Sequence, residues 1–142
     1  MKFKYTILLF AWFISSSVSH AYDFDSLSEL IQKGKETEAI AKINQYIQKY
    51  PNDPKVKFIY GATLDHFGKT QEAEKVFLHL CRKYPNHPTI NYNVGVIYTK
   101  LGQYSKARIY FESALRLKSD YHEARSALGY IQKLDRVYLT SK

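Results

Sequence analysis

The side chains that could bind a metal ion or take part in acid–base chemistry are the chain's histidines and its single cysteine. None of these histidines has a partner at the His-x-x-x-His or Cys-x-x-Cys spacing from which a metal site is built. No nucleophile elbow, phosphate-binding loop or paired-carboxylate pattern is present either. We therefore expect neither enzymatic activity nor a cofactor. We also expect solvated histidines, namely His66, His79, His87 and His122.

Cys81 is the one cysteine of the chain, so it cannot form an intramolecular disulfide. It lies in the segment VFLHLCRKYP, on an apolar stripe at helical spacing. His79 is two residues away and would face a different side of that helix. The pattern favours a buried and inert thiol over a reactive one, because free cysteines usually pack as small hydrophobic side chains.

The first 21 residues have the three parts of a secretory signal peptide. Lys2 and Lys4 give a positive start, the run YTILLFAWFI at residues 5–14 is apolar, and SSSVSHA follows with small residues. An uncleaved membrane anchor is the alternative, but a span needs about 20 apolar residues, and SSS interrupts this run. We predict a signal peptide at residues 1–21 that is cleaved after Ala21. The protein would then be exported, periplasmic or secreted, with no stable membrane span.

The chain is basic and rich in tyrosine, a combination that also occurs in nucleic-acid-binding proteins. Its 142 residues carry a net charge of +8 and include 13 tyrosines, and removal of Lys2 and Lys4 leaves +6. Because an exported protein meets little nucleic acid, we expect none as a partner. Binding of an anionic polymer or a nucleic acid remains the alternative, and it predicts an affinity that falls steeply with salt.

One period of 34 residues runs through the chain from His20 without insertion or deletion. It divides the sequence into blocks 20–53, 54–87 and 88–121, and the first becomes 22–53 after signal cleavage. Periods of this length are typical of stacked pairs of helices. The same residue types recur at fixed block positions: Gly34, Gly68 and Gly102 at position 15, Ala39, Ala73 and Ala107 at position 20, Ile43, Phe77 and Phe111 at position 24, and Pro51 and Pro85 at position 32, where the third block has Ser119.

The recurring residues indicate two amphipathic helices in each block. Glycine at position 15 can adopt the left-handed conformation that ends a helix, so the chain reverses there. Proline at position 32 cannot continue the second helix, which has one apolar face made by residues such as Ala73, Phe77 and Leu80. Gly95 lies inside a predicted helix at a cost of about 1 kcal/mol. That cost predicts close packing of this helix against a neighbour.

Residues 122–139 continue the period as one helix, which is followed by a short tail at 140–142. The segment keeps a glycine, Gly129, and an apolar stripe that includes Ala124, Leu128 and Ile131. A stack of helical pairs needs a terminal element with a polar outer face for solubility. We therefore predict a capping helix at 122–139.

These features resemble the tetratricopeptide repeat family over residues 22–139. The resemblance rests on the 34-residue length, the glycine at position 8 (Gly61, Gly95 and Gly129), the FGKTQEA and LGQYSKA turns, and the proline at position 32. The chain departs from the family in lacking a large aromatic residue at position 4 and in having Leu27 at position 8 of the first block. The resemblance implies an all-α fold, a right-handed solenoid of three 34-residue helix-turn-helix repeats plus a C-terminal capping helix.

Proteins of this family bind a segment of a partner in a concave groove lined by the first helix of each repeat. Carried over by block position, the resemblance assigns this groove to Phe24, Phe58, Ala62, Asp65, His66, Tyr92, Val96, Thr99, Lys100, Tyr130 and Lys133. Together they would form an apolar, aromatic row with a slightly basic edge, a composition typical of peptide hot spots. The alternative is that the aromatic members belong to the core, as apolar stripes at helical spacing usually do.

The sequence thus predicts an exported adaptor or scaffold that binds a segment of another protein, in envelope or secretion assembly. A secretion chaperone of the same family is an alternative, but such chaperones work in the cytoplasm and the predicted signal peptide argues against one. The family's carboxylate clamp is not expected, because Phe24, Ser28, Phe58 and Ala62 occupy the positions of its Lys and Asn side chains. The oligomeric state stays open.

Overall fold

A computed structural model describes residues 23–140 of the chain. Within this range the chain forms seven α-helices and no strand, which confirms the predicted all-α class. The predicted signal peptide, residues 1–21, lies outside the described residues. The helices are α1 (Phe24–Gln32), α2 (Glu36–Lys49), α3 (Pro54–His66), α4 (Thr70–Lys83), α5 (Pro88–Lys100), α6 (Tyr104–Leu117) and α7 (His122–Thr140).

Three tight turns contain the glycines of block position 15. The backbone φ angles of Gly34, Gly68 and Gly102 are +69°, +78° and +72°, values that only glycine adopts readily. Each turn ends the preceding helix with the hydrogen bonds of a Schellman motif. In the first turn, the N–H of Lys35 donates to the carbonyl of Leu30 at 2.9 Å. The predicted left-handed helix ends are therefore confirmed.

Prolines lie at the start of α3 and α5 and just after the end of α2 and α4. Pro54 and Pro88 occupy the first turn of α3 and α5, where a missing N–H costs no helical hydrogen bond. The carboxylate of Asp53, before Pro54, accepts a hydrogen bond from the backbone N–H two residues on at 2.7 Å. Pro51 and Pro85 follow the ends of α2 and α4, as their inability to continue a helix requires.

The described residues up to Lys69 belong to one compact unit. In this unit α1 packs against α2, and α2 packs against α3. Leu27 is fully buried, so the first block has a large side chain at the position where later blocks have glycine. The core of the unit consists of Leu27, Ile31, Ala39, Ile43, Val56 and Ile59.

The residues from Thr70 onward form a second compact unit. Here α5 packs against both α4 and α6, and α6 packs against α7. The ring of Phe111 on α6 lies so close to Gly95 that a Cβ atom there would be 2.6 Å from Phe111 Cε1. The predicted close approach at Gly95 is therefore confirmed. The core of this unit includes Ala73, Phe77, Leu80, Ile90, Val94, Ile97, Ala107, Phe111, Ala114, Ala124 and Ile131.

Helix α7 differs from α5 at the positions that face a second helix. In the hairpin of α5 and α6, Gly95 contacts Phe111 and the ring of Tyr98 stacks on Tyr110 of α6. The equivalent residues of α7 are Gly129, around which the structure leaves open space, and an exposed glutamine at residue 132. The side of α7 that corresponds to the α6-facing side of α5 is therefore open at Gly129 and polar at residue 132.

Candidate functional site

The residues assigned to the groove lie on the first helix of each hairpin and on α7. In the first unit they belong to α1 and α3, and in the second unit they belong to α5 and α7. We describe each unit by itself. The most buried of them are Phe58 and Tyr92, and the most exposed are His66, Lys100 and Lys133.

On α1, the ring of Phe24 is half-buried and makes an edge-to-face contact with Tyr46 of α2, with 5.9 Å between the ring centroids. The hydroxyl of Tyr46 donates a hydrogen bond to the backbone carbonyl of Asp23 at 2.9 Å. The carboxylate of Asp23 also forms an ion pair with Lys42 at 2.9 Å. These contacts hold the start of α1 against α2, so Phe24 serves packing as well as any surface role.

On α3, Phe58 is buried, with 5% of its surface exposed. Ala62 and Asp65 are half-buried, and His66 at the end of the helix is exposed. The imidazole of His66 meets the ring of Phe67 edge to face, with the centroids 5.1 Å apart. On α3 the predicted row is therefore most accessible at its polar end.

On α5, Tyr92 is buried and has only 7% of its surface exposed. Its ring packs between Phe111 of α6 and Tyr121, with centroid distances of 5.6 Å and 5.1 Å. Burial raises the pKa of Tyr121 to about 12, and a hydrogen bond with the side chain of Thr89 partly opposes that rise. Tyr92 is thus part of an aromatic cluster in the core.

Tyr121 is the member of this cluster that sequence reasoning missed. It lies at block position 34, where the earlier blocks have Asp53 and His87. Because the residue type changes from block to block, the 34-residue period gives no signal for it. Only the packing of the segment between α6 and α7 brings its ring onto Tyr92.

The accessible candidate residues of the second unit lie on α5 and α7, which both pack against α6. Val96 and Tyr130 share block position 9 and are half-buried, while Lys100 and Lys133 are exposed. The hydroxyl of Thr99 donates to the carbonyl of Gly95 at 2.9 Å, which fixes its rotamer beside Lys100. This set combines apolar surface with two cations, a combination suited to contact with a peptide.

The two units differ in charge. Residues 23–69 contain seven basic and seven acidic residues, whereas residues 70–142 contain twelve basic and six acidic ones. In the first unit, Lys42 lowers the pKa of Asp23 by its hydrogen bond and its charge. Ion pairs of the first unit join Lys33 to Glu29, Lys35 to Glu38, Lys42 to Asp23 and Lys69 to Glu36. The net positive charge of the described chain therefore lies in the second unit.

Asn91 has a structural role at block position 4, where the family usually has a large aromatic residue. It is 3% exposed, and its amide donates to the carbonyls of Pro85 and His87 at 2.8 Å and 3.0 Å. The Sγ atom of Cys81 lies 3.8 Å from the amide oxygen of Asn91. Asn91 thus ties the segment between α4 and α5 to the start of α5.

The titratable side chains near this segment form no reactive group. Burial raises the pKa of the half-buried Cys81 thiol, which supports the predicted inert role. Burial also lowers the pKa of His87, whose Nδ1 atom is buried without a hydrogen-bond partner. The expectation of a solvated side chain is therefore wrong for His87. Among the described residues, no group of three or more His, Cys, Asp or Glu side chains is arranged to hold a metal ion.

Successive hairpins of amphipathic helices, each closed by a left-handed glycine, define a helical-repeat protein. Residues 88–121 match the tetratricopeptide repeat family model, and they are the same 34 residues as the third predicted block. The predicted family resemblance is thereby confirmed: this segment is a tetratricopeptide repeat, and the chain has the fold of tetratricopeptide repeat proteins. No match was found among curated protein sequences.

Several solved structures share this fold with the chain. The MamA RS-1 ArsTM double mutant matches with a TM-score of 0.69 and 24% identity, over 79% of this chain and 63% of that one. YrrB, a TPR protein with an unusual peptide-binding site, matches with a TM-score of 0.64 and 24% identity, over 71% and 52%. The first TPR of Spaghetti (RPAP3), bound to the HSP90 peptide SRMEEVD, matches with a TM-score of 0.68 and 18% identity, over 78% and 87%.

The matched part of the chain spans less than two thirds of the length of the MamA and YrrB chains. At sequence identities of 18–24%, the similarity to these structures shows a shared fold. Within residues 23–140, no helix is long and apolar enough to cross a membrane.

Proposed function

We propose that the chain is an exported adaptor that binds a segment of a partner protein through the first helices of its hairpins. The site would have no catalytic role and would need no cofactor. The partner would belong to an envelope or secretion assembly. In the second unit, the binding residues would be Val96, Thr99, Lys100, Tyr130 and Lys133.

The observation that carries this proposal is the accessible set on α5 and α7. Val96 and Tyr130 keep part of their apolar surface in solvent, and neither belongs to the buried core. Lys100 and Lys133 are exposed and carry charge beside them. Apolar contacts supply most of the affinity in such sites, and charges set orientation and partner choice.

The fold similarities support a protein or peptide as the ligand. YrrB is described with a peptide-binding site, and the RPAP3 domain holds a peptide. Both have the helical hairpins seen in this chain. A polyanion would bind the cations of the second unit without using Val96 or Tyr130, and its affinity would fall steeply with salt.

Site-specific photocrosslinking tests the location of the site. A photoreactive phenylalanine analogue is placed at Val96 or Tyr130 in the full chain, expressed in its own organism, and the adducts are identified by mass spectrometry. Matched control positions are Gln71 and His79, which are exposed on α4. The expected result is one partner crosslinked from Val96 and Tyr130 and absent from the α4 positions.

Binding of that partner is then measured with purified proteins. Val96→Asp combined with Tyr130→Ala should weaken it by roughly tenfold or more, because two apolar contacts are lost. Gln71→Ala combined with His79→Ala should leave it unchanged. Equal affinity of both variants, or identical adducts from all four positions, would refute the proposed site.

Export is tested separately with residues 1–30 fused to a reporter enzyme that is active only outside the cytoplasm. We expect activity that is lost when the apolar run at residues 5–14 is interrupted by charged residues. A reporter that stays inside the cell would contradict the proposed envelope location, and the photocrosslinking result would stand independently.

A further inference from the structure

Two large hydrophobic side chains on α6 are exposed to solvent. Ile109 has 61% of its surface exposed and Leu117 has 38%. Within the described residues, no other large hydrophobic side chain is as exposed as these two. They are eight residues apart, which places them about 12 Å apart along the helix axis. The opposite side of α6 carries the buried residues Ala107, Phe111 and Ala114.

Comparison with the equivalent helices shows that the repeat does not need large apolar residues at these two positions. Ile109 is at block position 22, where the earlier blocks have Ala41 and Lys75. Leu117 is at position 30, where they have Lys49 and Lys83. All four of these side chains are exposed. Because α2 and α4 form the same kind of hairpin helix without them, Ile109 and Leu117 indicate a contact outside the fold.

The surroundings of this pair are basic. We call the exposed side of α6 its outer face; it consists of the exposed residues Ser105, Lys106, Ile109, Glu112, Arg116 and Leu117 and the half-buried Ser113. Lys106 and Arg116 lie one and two turns from Ile109, and Glu112 is the single acid on the face. Lys106 replaces the acids at the same block position, Glu38 and Glu72. The face therefore suits an occupant with negative charge.

We propose that the outer face of α6 docks on an anionic lipid bilayer, with Ile109 and Leu117 inserted among the acyl chains and Lys106 and Arg116 at the headgroups. Charge argues against a second copy of the chain, because two units with twelve basic and six acidic residues each would repel one another. Ile109 and Leu117 are also exposed on one helix and do not line a groove between two helices. A bilayer accepts protruding aliphatic side chains without a complementary pocket, and anionic lipids attract the cations beside them.

This surface lies on the second helix of its hairpin and does not include the residues proposed to bind a partner protein. It would give the adaptor a second contact, independent of the first. The full chain could then present α5 and α7 to a protein while α6 rests on a membrane surface.

The test compares two variants that add the same charge. Ile109→Lys with Leu117→Lys gives α6 the residue types of α4, and Ala41→Lys with Gln45→Lys adds two charges to exposed positions of α2. Each is expressed from the full sequence and sedimented with vesicles of phosphatidylglycerol and phosphatidylcholine, or of phosphatidylcholine alone. Both variants share the wild-type N-terminus, so their difference reports the outer face of α6.

We expect the wild type to bind the anionic vesicles and to release them at high salt, because the headgroup attraction is screened. Ile109→Lys with Leu117→Lys should weaken binding about tenfold or more in spite of its added charge, because two aliphatic side chains no longer leave water. Ala41→Lys with Gln45→Lys should bind at least as tightly as the wild type. Ile109→Ala should cause an intermediate loss while removing no charge.

Three outcomes would overturn the proposal. The first is no difference in binding between anionic and zwitterionic vesicles, and the second is binding by the α6 variant that equals that of the α2 variant. The third is a wild-type dimer in light scattering that becomes a monomer in the α6 variant without any vesicle binding, which would assign the face to a second copy. Circular dichroism of each variant verifies that the helices are intact.

Discussion

Gly95 offers a direct test of how closely α5 and α6 pack. A Cβ atom at this position would lie 2.6 Å, 2.7 Å and 3.0 Å from three ring carbons of Phe111. Phe111 is almost fully buried, so a movement of its ring would disturb the neighbouring core side chains. The substitution Gly95→Ala therefore forces either the ring or the two helices to move.

Two opposing effects set the size of the change. Alanine is favoured over glycine inside a helix by about 1 kcal/mol. Overpacking a dense core costs about 1–3 kcal/mol, and it outweighs the helix term here because the contact distances are far below those of ordinary van der Waals contact. We expect Gly95→Ala to lower the free energy of unfolding by about 1 kcal/mol, and Gly95→Leu by more.

Gly129 is the matched control because it has the same block position on α7. Among the described residues, no atom lies within 4 Å of a Cβ built there, leaving aside its two chain neighbours and the nearby backbone of its own helix. Gly129→Ala should therefore raise the free energy of unfolding by about 0.5–1 kcal/mol through helix propensity alone. Urea unfolding, followed by circular dichroism, gives the free energy of unfolding of both variants. Unchanged m-values would show that the substitutions do not alter the unfolded state.

A double variant identifies the contact responsible. Phe111→Leu removes the ring atoms that collide with the new methyl group, so Gly95→Ala should cost less in that background than in the wild type. The reasoning would be refuted if Gly95→Ala and Gly129→Ala changed stability in the same direction. It would also fail if the effect of Gly95→Ala were the same in both backgrounds.

Three further predictions concern residues in and beside the segment between α4 and α5. Asn91→Leu should destabilise the fold by about 1–3 kcal/mol, measured by urea unfolding, because the carbonyls of Pro85 and His87 lose their donor; an unchanged midpoint would contradict this role. Because the pKa of His87 is lowered in the folded protein, the unfolded state becomes protonated at a higher pH than the folded state does. The free energy of unfolding should therefore fall as the pH drops below the ordinary pKa of 6.5. His87→Gln should flatten this pH dependence, and an identical profile would assign it to other groups. Cys81, with its raised pKa, should react with a disulfide reagent much more slowly in the native protein than in urea, and equal rates would show an accessible thiolate.

The helical scaffold followed from local chemistry that the sequence displays directly. Gly34, Gly68 and Gly102 recur at 34-residue intervals, and each adopts the left-handed conformation that its position predicts. The close approach at Gly95 was also predicted, because a glycine inside a helix needs a reason. The glycine turns depend on a few neighbouring residues, and the glycine inside α5 marks a close approach without naming its partner, Phe111.

The candidate site was less accessible to sequence reasoning. Phe58 and Tyr92 occupy positions that the family uses for its groove, yet both are buried. The sequence allowed either outcome, because an aromatic residue at helical spacing suits a core as well as a surface. Tyr121 has no periodic signal at all, and its contact with Tyr92 arises only when the segment after α6 folds onto α5.

The sequence by itself therefore determined the number and type of the helices, their glycine turns and the 34-residue repeat, because these depend on local backbone conformation and periodic hydrophobicity. The tertiary structure alone decided which side chains remain accessible. It buried Tyr92 against Phe111 and Tyr121 and left Ile109 and Leu117 in solvent. Accessibility depends on contacts between residues that are distant in the sequence, and no local pattern encodes those contacts.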